Sequence, residues 1–360
     1  MKKRSILFVV LGLLLFSCDP FDTQFEDLEN AVYYEADSKI EADAPADLKV
    51  MTWNVKFGGA RIDFWFDCYG ERVIMTENEV INNMDALAEY IRGVNPDIIL
   101  LQEVDVNSKR SAYVDQLQYI LDNTNLNYGV YASQWKASYI PSSGLGKMDS
   151  GNAILSKWEL SDAERIALPL ISEDDALTQY FYLKRNILKA KVNLGNNYEL
   201  WALNIHASAY SNDGTKKLQL DQFKDEMDLI NSAGETFVAG GDFNSLPPNT
   251  IKVVGFDDSI CEDEEFQGDD YSEEVNWLDE FYTDYPVAVT LDEYGITEEE
   301  QTAYYSHTVQ GPDNDGFWSR KLDYLFTNSI WVGDSSSTDQ ETMHLSDHAP
   351  VTSNLNYTAE

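Results

Sequence analysis

The stretch TFVAGGDFNSLP, residues 236–247, joins a short apolar run to polar residues that follow it directly. The run TFVAG has the composition of a buried strand. Asp242 and Asn244 stand two residues apart at its end, before a double proline that cannot continue a strand. An Asp or Asn after a strand usually forms a turn or caps a helix, so this stretch alone indicates no function.

Five other apolar runs end in the same way. Their terminal polar residues are Asn54 in TWNV, Gln102 and Glu103 in LLQEV, Asn204 and His206 in LNIHAS, Asp323 in KLDY, and Asp347 and His348 in LSDHAP. Such side chains can converge at one mouth of a layered sheet, where carboxylates bind a hard divalent cation and imidazoles transfer protons. The combination suits the hydrolysis of phosphate esters, which needs a cation, a base and donors for the developing charge.

The periodicity of the apolar residues predicts the fold class. Strand-like runs occur at 48–55, 97–104, 128–133, 152–157, 186–194, 198–208, 236–243, 321–328 and 349–356. Helical patterns lie between some of them, at 78–96 with Val80, Met84, Leu87, Ala88 and Ile91 on one face, at 111–125, and at 215–234 with Leu218, Phe223, Met227 and Ile230 aligned. We predict an α/β fold, a four-layer α/β sandwich of two mixed β-sheets packed face to face with helices outside.

The beginning of the chain resembles a bacterial lipoprotein signal. Three basic residues precede an apolar stretch that is shorter than the roughly 20 residues of a membrane span, so an uncleaved anchor is the weaker alternative. We predict a signal peptide over residues 1–17, lipidation of Cys18, an acidic flexible tether over 18–47 and a single domain over 48–360. The protein would then be exported and held at a membrane by its lipid anchor, facing the periplasm or the cell surface.

Charge restricts the substrates that the protein can bind tightly. The chain has 63 acidic and 25 basic residues, a net charge of −38, and no Lys or Arg between Lys252 and Arg320. We interpret residues 248–300 as a solvated acidic insertion. A structural Ca²⁺ at 311–317 is weakly supported, because the Glu that completes a calcium loop is missing. Tight binding of long polyanions is disfavoured, although a basic strip could lie near the mouth, from Lys56, Arg61, Lys147, Lys184 and Arg185.

Two further features leave alternatives open. Cys68 and Cys261 lie outside any zinc-like cluster and could form a disulfide in an oxidising compartment. The consecutive aromatics Phe64, Trp65 and Phe66 cannot all face a core, so they form either a substrate-contacting rim or a loop packed on the domain.

Seven motifs together resemble a known superfamily. They are TWNV, LLQEV, GNAILSK, ALNIHAS, GGDFNSLP, KLDYLF and SDHAPV, and they occur in the order of the endonuclease/exonuclease/phosphatase superfamily from about Leu48 to Leu355. This superfamily includes deoxyribonucleases, abasic-site endonucleases, bacterial sphingomyelinases and inositol polyphosphate 5-phosphatases. The resemblance implies a metal-dependent hydrolase acting on phosphate ester bonds.

The resemblance also implies a metal site. Glu103 matches the principal Mg²⁺ ligand, Asn54 lies beside it, and Asp347 is a further ligand or supporting group; Mn²⁺ is the alternative ion. Lys56 departs from the pattern, since abasic-site endonucleases carry an Asp there. A cation at this position removes a ligand, which weakens a two-metal interpretation, and it could face a phosphate instead.

The catalytic residues follow from the same match. Asp242 corresponds to the residue that activates the attacking water, and Asn244 to the amide that contacts the phosphate. His348 corresponds to the imidazole beside the scissile phosphate, and Asp323 to the carboxylate that fixes its tautomer. His206 corresponds to the imidazole that contacts the phosphate or protonates the leaving oxygen.

We therefore predict an exported, lipid-anchored, Mg²⁺-dependent phosphoesterase, as a phosphodiesterase or nuclease, with a sphingomyelinase or inositol-phosphate phosphatase as alternatives. A surface binding lipoprotein without activity is the alternative from another class. The partner would be nucleic acid, a phospholipid head group or a small phosphodiester, with no obligate protein partner evident. Neither His307 nor His344 has a match, so we expect His344 to be structural and His307 at most peripheral.

Overall fold

The computed structural model describes residues 19, 21–67, 70–195, 198–209, 213–259, 270–308 and 317–358. The predicted signal peptide, Cys18, both cysteines of the proposed disulfide and most of the calcium-like stretch lie outside the described residues. The expectations about lipidation, disulfide formation and calcium therefore stay predictions.

Two mixed β-sheets form the centre of the described part of the chain. Their strands are β1 (Leu28–Asn30), β2 (Val32–Glu35), β3 (Leu48–Asn54), β4 (Ile98–Asp105), β5 (Tyr128–Ile140), β6 (Gly146–Ser156), β7 (Leu160–Ala167), β8 (Asn186–Gly195), β9 (Tyr198–His206), β10 (Phe237–Asp242), β11 (Asp323–Thr327), β12 (Ile330–Trp331), β13 (Ser337–Thr338) and β14 (Val351–Asn356). The first sheet has the order β1-β7-β8-β9-β10-β11, and the second has the order β12-β14-β3-β4-β6-β5-β2, with β13 paired to β14. The pairs β3–β4 and β9–β10 are parallel.

The described helices are α1 (Glu77–Val94), α2 (Gln116–Asn123), α3 (Ala176–Phe181), α4 (Thr215–Ser232), α5 (Asp279–Asp284), α6 (Leu291–Tyr294) and α7 (Glu298–Gln301). Helix α1 begins with a capping box between Thr76 and Glu79 and buries the five residues predicted for its inner face. In α4 the prediction for Leu218 is wrong, because this side chain is 57% exposed and Leu220 is buried instead. No helix in the described ranges has the length and apolar character needed to cross a membrane.

The core has three apolar layers, which confirm the predicted sandwich. Side chains from both sheets fill the space between them, including Val50, Leu100, Ala190 and Val238. Helices α1 and α2 cover the outer face of the second sheet, and α4 and α5 cover the outer face of the first. The order is therefore helix, sheet, sheet, helix.

The predicted flexible tether is wrong for part of residues 18–47. Strand β1 pairs with β7 at the edge of one sheet, and β2 pairs with β5 at the edge of the other. Buried Ala31 connects the two strands, so this segment joins both sheets at one side. Main-chain hydrogen bonds to the open sheet edges explain why this segment forms strands, because an acid-rich sequence can make these bonds as well as any other.

The acidic insertion is less solvated than predicted. Phe281 and Tyr285 pack in the core on the outer face of the first sheet. Asp258 forms a buried ion pair with Arg320, and Glu274 pairs with buried Lys216. Apolar residues spaced between the acids therefore hold the described parts of this region, 248–259 and 270–300, against the sandwich.

Candidate active site

The two parallel strand pairs bring the polar strand ends to one edge of the sandwich. The carboxyl ends of parallel strands lie side by side, and Asn54 pairs with Gln102 while His206 pairs with Asp242. Between the sheets, the side-chain amide of Gln102 donates to Asn204 Oδ1 at 2.7 Å. This buried bond links β4 to β9 directly beneath the site.

Unusual backbone geometry directs two of these strand ends. The register between β4 and β6 shifts between Leu101 and Val104, and Glu103 in this bulge has a φ of +59°. Gly241 has a φ of +139°, and a Cβ there would lie 1.9 Å from the carbonyl oxygen of Ile205. The glycine before Asp242 is thus required for β9 and β10 to approach each other.

The predicted residues from both sheets meet at Asn54. Its Nδ2 donates to Glu103 Oε1 at 3.1 Å and to Asp242 Oδ2 at 3.1 Å. Its Oδ1 accepts the backbone N–H of Lys56, which fixes this orientation of the amide. The surrounding cleft has a volume of about 290 Å³, and its walls include all the predicted metal and catalytic residues except Asp323.

Asp323 lies behind the cleft wall and holds His348. Its Oδ2 is 2.8 Å from His348 Nδ1 and also accepts the hydroxyl of Ser306 at 2.6 Å. Burial would lower the pKa of His348, but the carboxylates of Asp323 and Asp242 raise it to about 10. His348 is therefore an imidazolium at neutral pH, with Nε2 3.5 Å from Asp242 Oδ2.

His206, in contrast to His348, is neutral. Burial, together with the positive charges of Arg185 and His348, lowers the pKa of His206 well below its ordinary value. In the orientation of the Gln134 side chain, its amide nitrogen lies 3.2 Å from Nδ1 and can only donate there, which corresponds to the proton on Nε2. That Nε2 is 3.4 Å from Asp242 Oδ2, and a neutral donor thus faces the middle of the cleft.

Asp242 lies between the two imidazoles and is fully buried. Burial raises the pKa of its carboxyl to about 7, while the charge of His348 opposes part of this rise. Its Oδ1 accepts the backbone N–H of Asn244 at 3.0 Å. Asn244 has a φ of +49°, and its side chain donates to the carbonyl oxygen of Ala207. A carboxyl with this pKa can accept a proton near neutral pH.

The metal ligands predicted from the sequence form a second acidic group. Burial, and after it the charge of Asp347, raises the pKa of Glu103. Burial also opposes ionisation of Asp347, but the charges of Lys56 and His348 hold its pKa below the ordinary value. Two partly buried carboxylates that repel each other and offer only oxygen atoms fit a hard divalent cation. The structure gives Asn54 the additional task of positioning both Glu103 and Asp242.

Lys56 is directed at carboxylates and is nearly buried. Its Nζ lies 3.0 Å from Asp67 and 3.6 Å from Asp347. The two carboxylates therefore compensate the buried positive charge of Lys56. A direct phosphate contact by Lys56 stays a prediction.

A second set of possible ligands overlaps the catalytic group. Ligand atoms of Asp242, Asp323 and His348 lie within 4.8 Å of one another. The hydrogen bond between Asp323 and His348 already occupies Oδ2 of the carboxylate and Nδ1 of the imidazole. We therefore expect the cation at the oxygen-only pair of Glu103 and Asp347.

Two cleft residues were missed by the sequence analysis. His307, expected to be at most peripheral, lies against His348 with ring centroids 4.4 Å apart, and its buried Nδ1 has no hydrogen-bond partner among the described residues. The sequence did contain a signal for His307: the chain has only four histidines, so each of them was a candidate for the site. Arg110 also lines the cleft, where Asp105 binds its guanidinium in a bidentate pair.

Of the three consecutive aromatics, one packs in the core and two line the cleft, so both predicted roles of this loop are represented. Phe64 is fully buried and packs edge-on against Phe57. Trp65 is 40% exposed and lines the cleft together with Phe66. The loop thus supplies both a core residue and an aromatic part of the cleft wall.

Comparison with known proteins places this site in a family. The sequence signature described as "Endonuclease/Exonuclease/phosphatase family" matches residues 51–348. The chain therefore belongs to the endonuclease/exonuclease/phosphatase family, and it is a metal-dependent hydrolase that acts on phosphate ester bonds.

Solved structures with the same fold share little sequence with it. An endonuclease/exonuclease/phosphatase from Beutenbergia cavernae is 18% identical, with a TM-score of 0.56 over 86% of this chain and 71% of that one. The human Nocturnin catalytic domain, solved with a bound sulfate anion, is 15% identical, with a TM-score of 0.51 over 91% and 98%. A Bacteroides vulgatus endonuclease/exonuclease/phosphatase is 15% identical, with a TM-score of 0.50 over 86% and 98%. No curated protein matches the chain.

Proposed function

We propose that the protein is a Mg²⁺-dependent phosphodiesterase that uses water as its nucleophile. One observation carries the proposal: Asn54 donates to Glu103 and to Asp242, so a cation-binding carboxylate and a candidate base share one amide. Glu103 and Asp347, with the second lone pair of Asn54 Oδ1, would hold the ion. When bound, a divalent cation supplies positive charge against the phosphoryl oxygens.

Asp242 is the proposed base. Its buried carboxyl has a pKa raised to about 7, which suits proton transfer near neutral pH. The water oxygen forms a bond to phosphorus while a water proton passes to Asp242. The backbone N–H of Asn244 and the amide of Asn54 hold the carboxylate in place for this transfer.

The two imidazoles have different proposed tasks. His348, kept protonated by Asp323, places a fixed positive charge beside the developing negative charge on the phosphoryl oxygens. Neutral His206 carries its proton on Nε2, which faces the cleft. It donates this proton to the leaving oxygen as the phosphorus–oxygen bond breaks.

The cleft favours a small or lipid-borne phosphodiester over a long polyanion. The net charge of −38 repels extended nucleic acid. Arg110 and Arg320 in the cleft wall are each paired with a carboxylate. Trp65, Phe66 and Trp135 give the same wall an aromatic surface for a flat or apolar substituent.

Hydrolysis of a chromogenic phosphodiester, measured with Mg²⁺ and then with EDTA, tests this function. We expect activity that EDTA abolishes and that added Mg²⁺ or Mn²⁺ restores. Equal, negligible rates in every condition, in the wild type and in Asp242→Ala, would support the binding lipoprotein instead. Parallel assays with plasmid DNA, sphingomyelin and inositol phosphates identify the substrate class.

We further propose that the enzyme is exported and anchored through lipid on Cys18. The support is the sequence of residues 1–18, with its basic start, short apolar stretch and Cys. Labelled palmitate should enter the wild type and be absent from Cys18→Ala. A Cys18→Ala variant that stays labelled and membrane-associated would contradict this localisation.

A further inference from the structure

Arg185 is a buried cation that faces the cleft and forms no ion pair with any residue that the structure describes. It immediately precedes β8, lines the cleft and is 8% exposed. Among the described residues, none hydrogen-bonds or ion-pairs with its guanidinium, and its Nη1 is buried without a partner. Transferring such a charge out of water without compensation is costly, so its retention calls for an explanation.

The neighbouring cations show what a structural role looks like in this protein. Lys184 is also 8% exposed, but its Nζ donates to the carbonyl oxygens of Gln179 and Tyr180 at 2.8 and 3.0 Å. Arg110 in the same cleft wall binds both carboxylate oxygens of Asp105 at 2.9 Å. Arg185 has neither kind of partner.

The charges around Arg185 place it beside the reacting groups. Burial lowers the pKa of its guanidinium, while Tyr182, Glu103 and Asp242 favour the charged form. Arg185 in turn is one of the two charges that keep His206 neutral. A guanidinium remains protonated in proteins, so this corner of the cleft carries a permanent positive charge.

We propose that Arg185 binds the substrate's phosphoryl group through two parallel N–H···O bonds to its non-bridging oxygens. This inference rests on the proposed function for the identity of the anion. A planar fork of donors matches two phosphate oxygens, and a dry cleft strengthens such bonds. The protein leaves the fork unpaired because the substrate supplies its partner.

A stability measurement separates this binding role from a structural one. Arg185→Gln removes a buried charge that forms no hydrogen bond or ion pair with the described residues, so its Tm without ligand should equal or exceed that of the wild type. The matched control Lys184→Gln removes a donor from two carbonyl oxygens, and its Tm should fall by about 1–4 °C. A fall for Arg185→Gln as large as the control's, or its failure to fold, would overturn the inference.

Titration of inorganic phosphate into the Mg²⁺-loaded protein, followed by calorimetry, tests the anion contact directly. Arg185→Gln should bind phosphate about 10–100-fold more weakly than the wild type. Arg185→Lys should fall between them, because it keeps the charge but loses the fork, and Lys184→Gln should bind like the wild type. Unchanged affinity in Arg185→Gln, or no binding by the wild type, would overturn the inference. Arg185-dependent phosphate binding without hydrolysis of any diester would instead remove only the proposed function.

Discussion

The two halves of the cleft handle charge in opposite ways. In the half built mainly on the first sheet, Asp242 lies next to protonated His348, which Asp323 supports from behind. In the half built on the second sheet, burial raises the pKa of Glu103, and the like charge of Asp347 raises it further. The first half is largely neutralised by the protein itself, whereas in the second Lys56 offsets the charge of Asp347 and we expect a bound cation to offset that of Glu103. This contrast separates proton transfer from cation binding within one site.

Asp242→Asn should abolish proton transfer in the first half and cause the largest loss of activity among these variants. The amide keeps the shape and the hydrogen-bonding capacity of the side chain but cannot take a proton from water. We expect kcat for a chromogenic diester to fall by about 10²–10⁴-fold, with little change in Mg²⁺ affinity. Asp225→Asn, an exposed position on α4, is the control and should keep full activity. A kcat within twofold of wild type would remove Asp242 from the role of base.

Asp323→Asn should change the same half indirectly, by lowering the pKa of His348. The pKa of His348 is raised to about 10, so its charged form persists from acid pH until the pH approaches 10 and is lost above it. Without the Asp323 charge this pKa falls, and the alkaline limb of the rate profile should move to lower pH. We also expect about a 10²-fold loss of kcat near neutral pH. A pH–rate profile measures both, and an unmoved alkaline limb would show that His348 is not the group that titrates there.

Glu103→Gln should affect the second half selectively. The substitution removes a charged oxygen ligand but keeps the volume and a hydrogen-bonding oxygen. The Mg²⁺ concentration for half-maximal activity should rise by about 10–100-fold, while kcat at saturating Mg²⁺ changes less. Calorimetric Mg²⁺ titration provides the check. Equal Mg²⁺ affinity in both proteins would place the ion elsewhere, for example at Asp242, Asp323 and His348.

Thr76→Ala should leave both halves intact and change only the scaffold. The variant removes the capping box at the start of α1, which should cost about 1 kcal/mol of unfolding free energy. Denaturant unfolding measures this loss, and diester hydrolysis under native conditions should be unchanged. A large loss of activity would show that α1 affects the cleft in a way the static contacts do not indicate.

Local patterns explain why the sequence predicted most of the scaffold and the residues that meet in the cleft. Polar residues at strand ends are visible in the sequence, and parallel pairing then brings Asn54, Glu103 and Asp242 together. The inner face of α1 follows from its apolar spacing alone. The amphipathic period of α4 is weaker, and the prediction placed exposed Leu218 inward.

Other features depend on contacts that no local pattern contains. Strands β1 and β2 exist because the edges of β7 and β5 accept them, which an acid-rich composition does not reveal. The backbone of His307 forms isolated β-bridges with Arg320 and with His348. Both partners lie further along the chain, so the local sequence around His307 does not reveal its place in the cleft. The unpaired state of Arg185 is visible only once every surrounding side chain is placed.

A double-mutant cycle on Glu103→Gln and Asp242→Asn tests most directly whether the two sheets supply parts of one catalytic unit. The measured quantity is kcat/KM for one chromogenic diester at a Mg²⁺ concentration that saturates every variant, so that the weaker Mg²⁺ binding of Glu103→Gln does not enter the comparison. If both residues serve the same transition state, the double variant should lose little more than the worse single variant. A loss equal to the product of the two single losses would mean that the residues act independently, which contradicts a shared site.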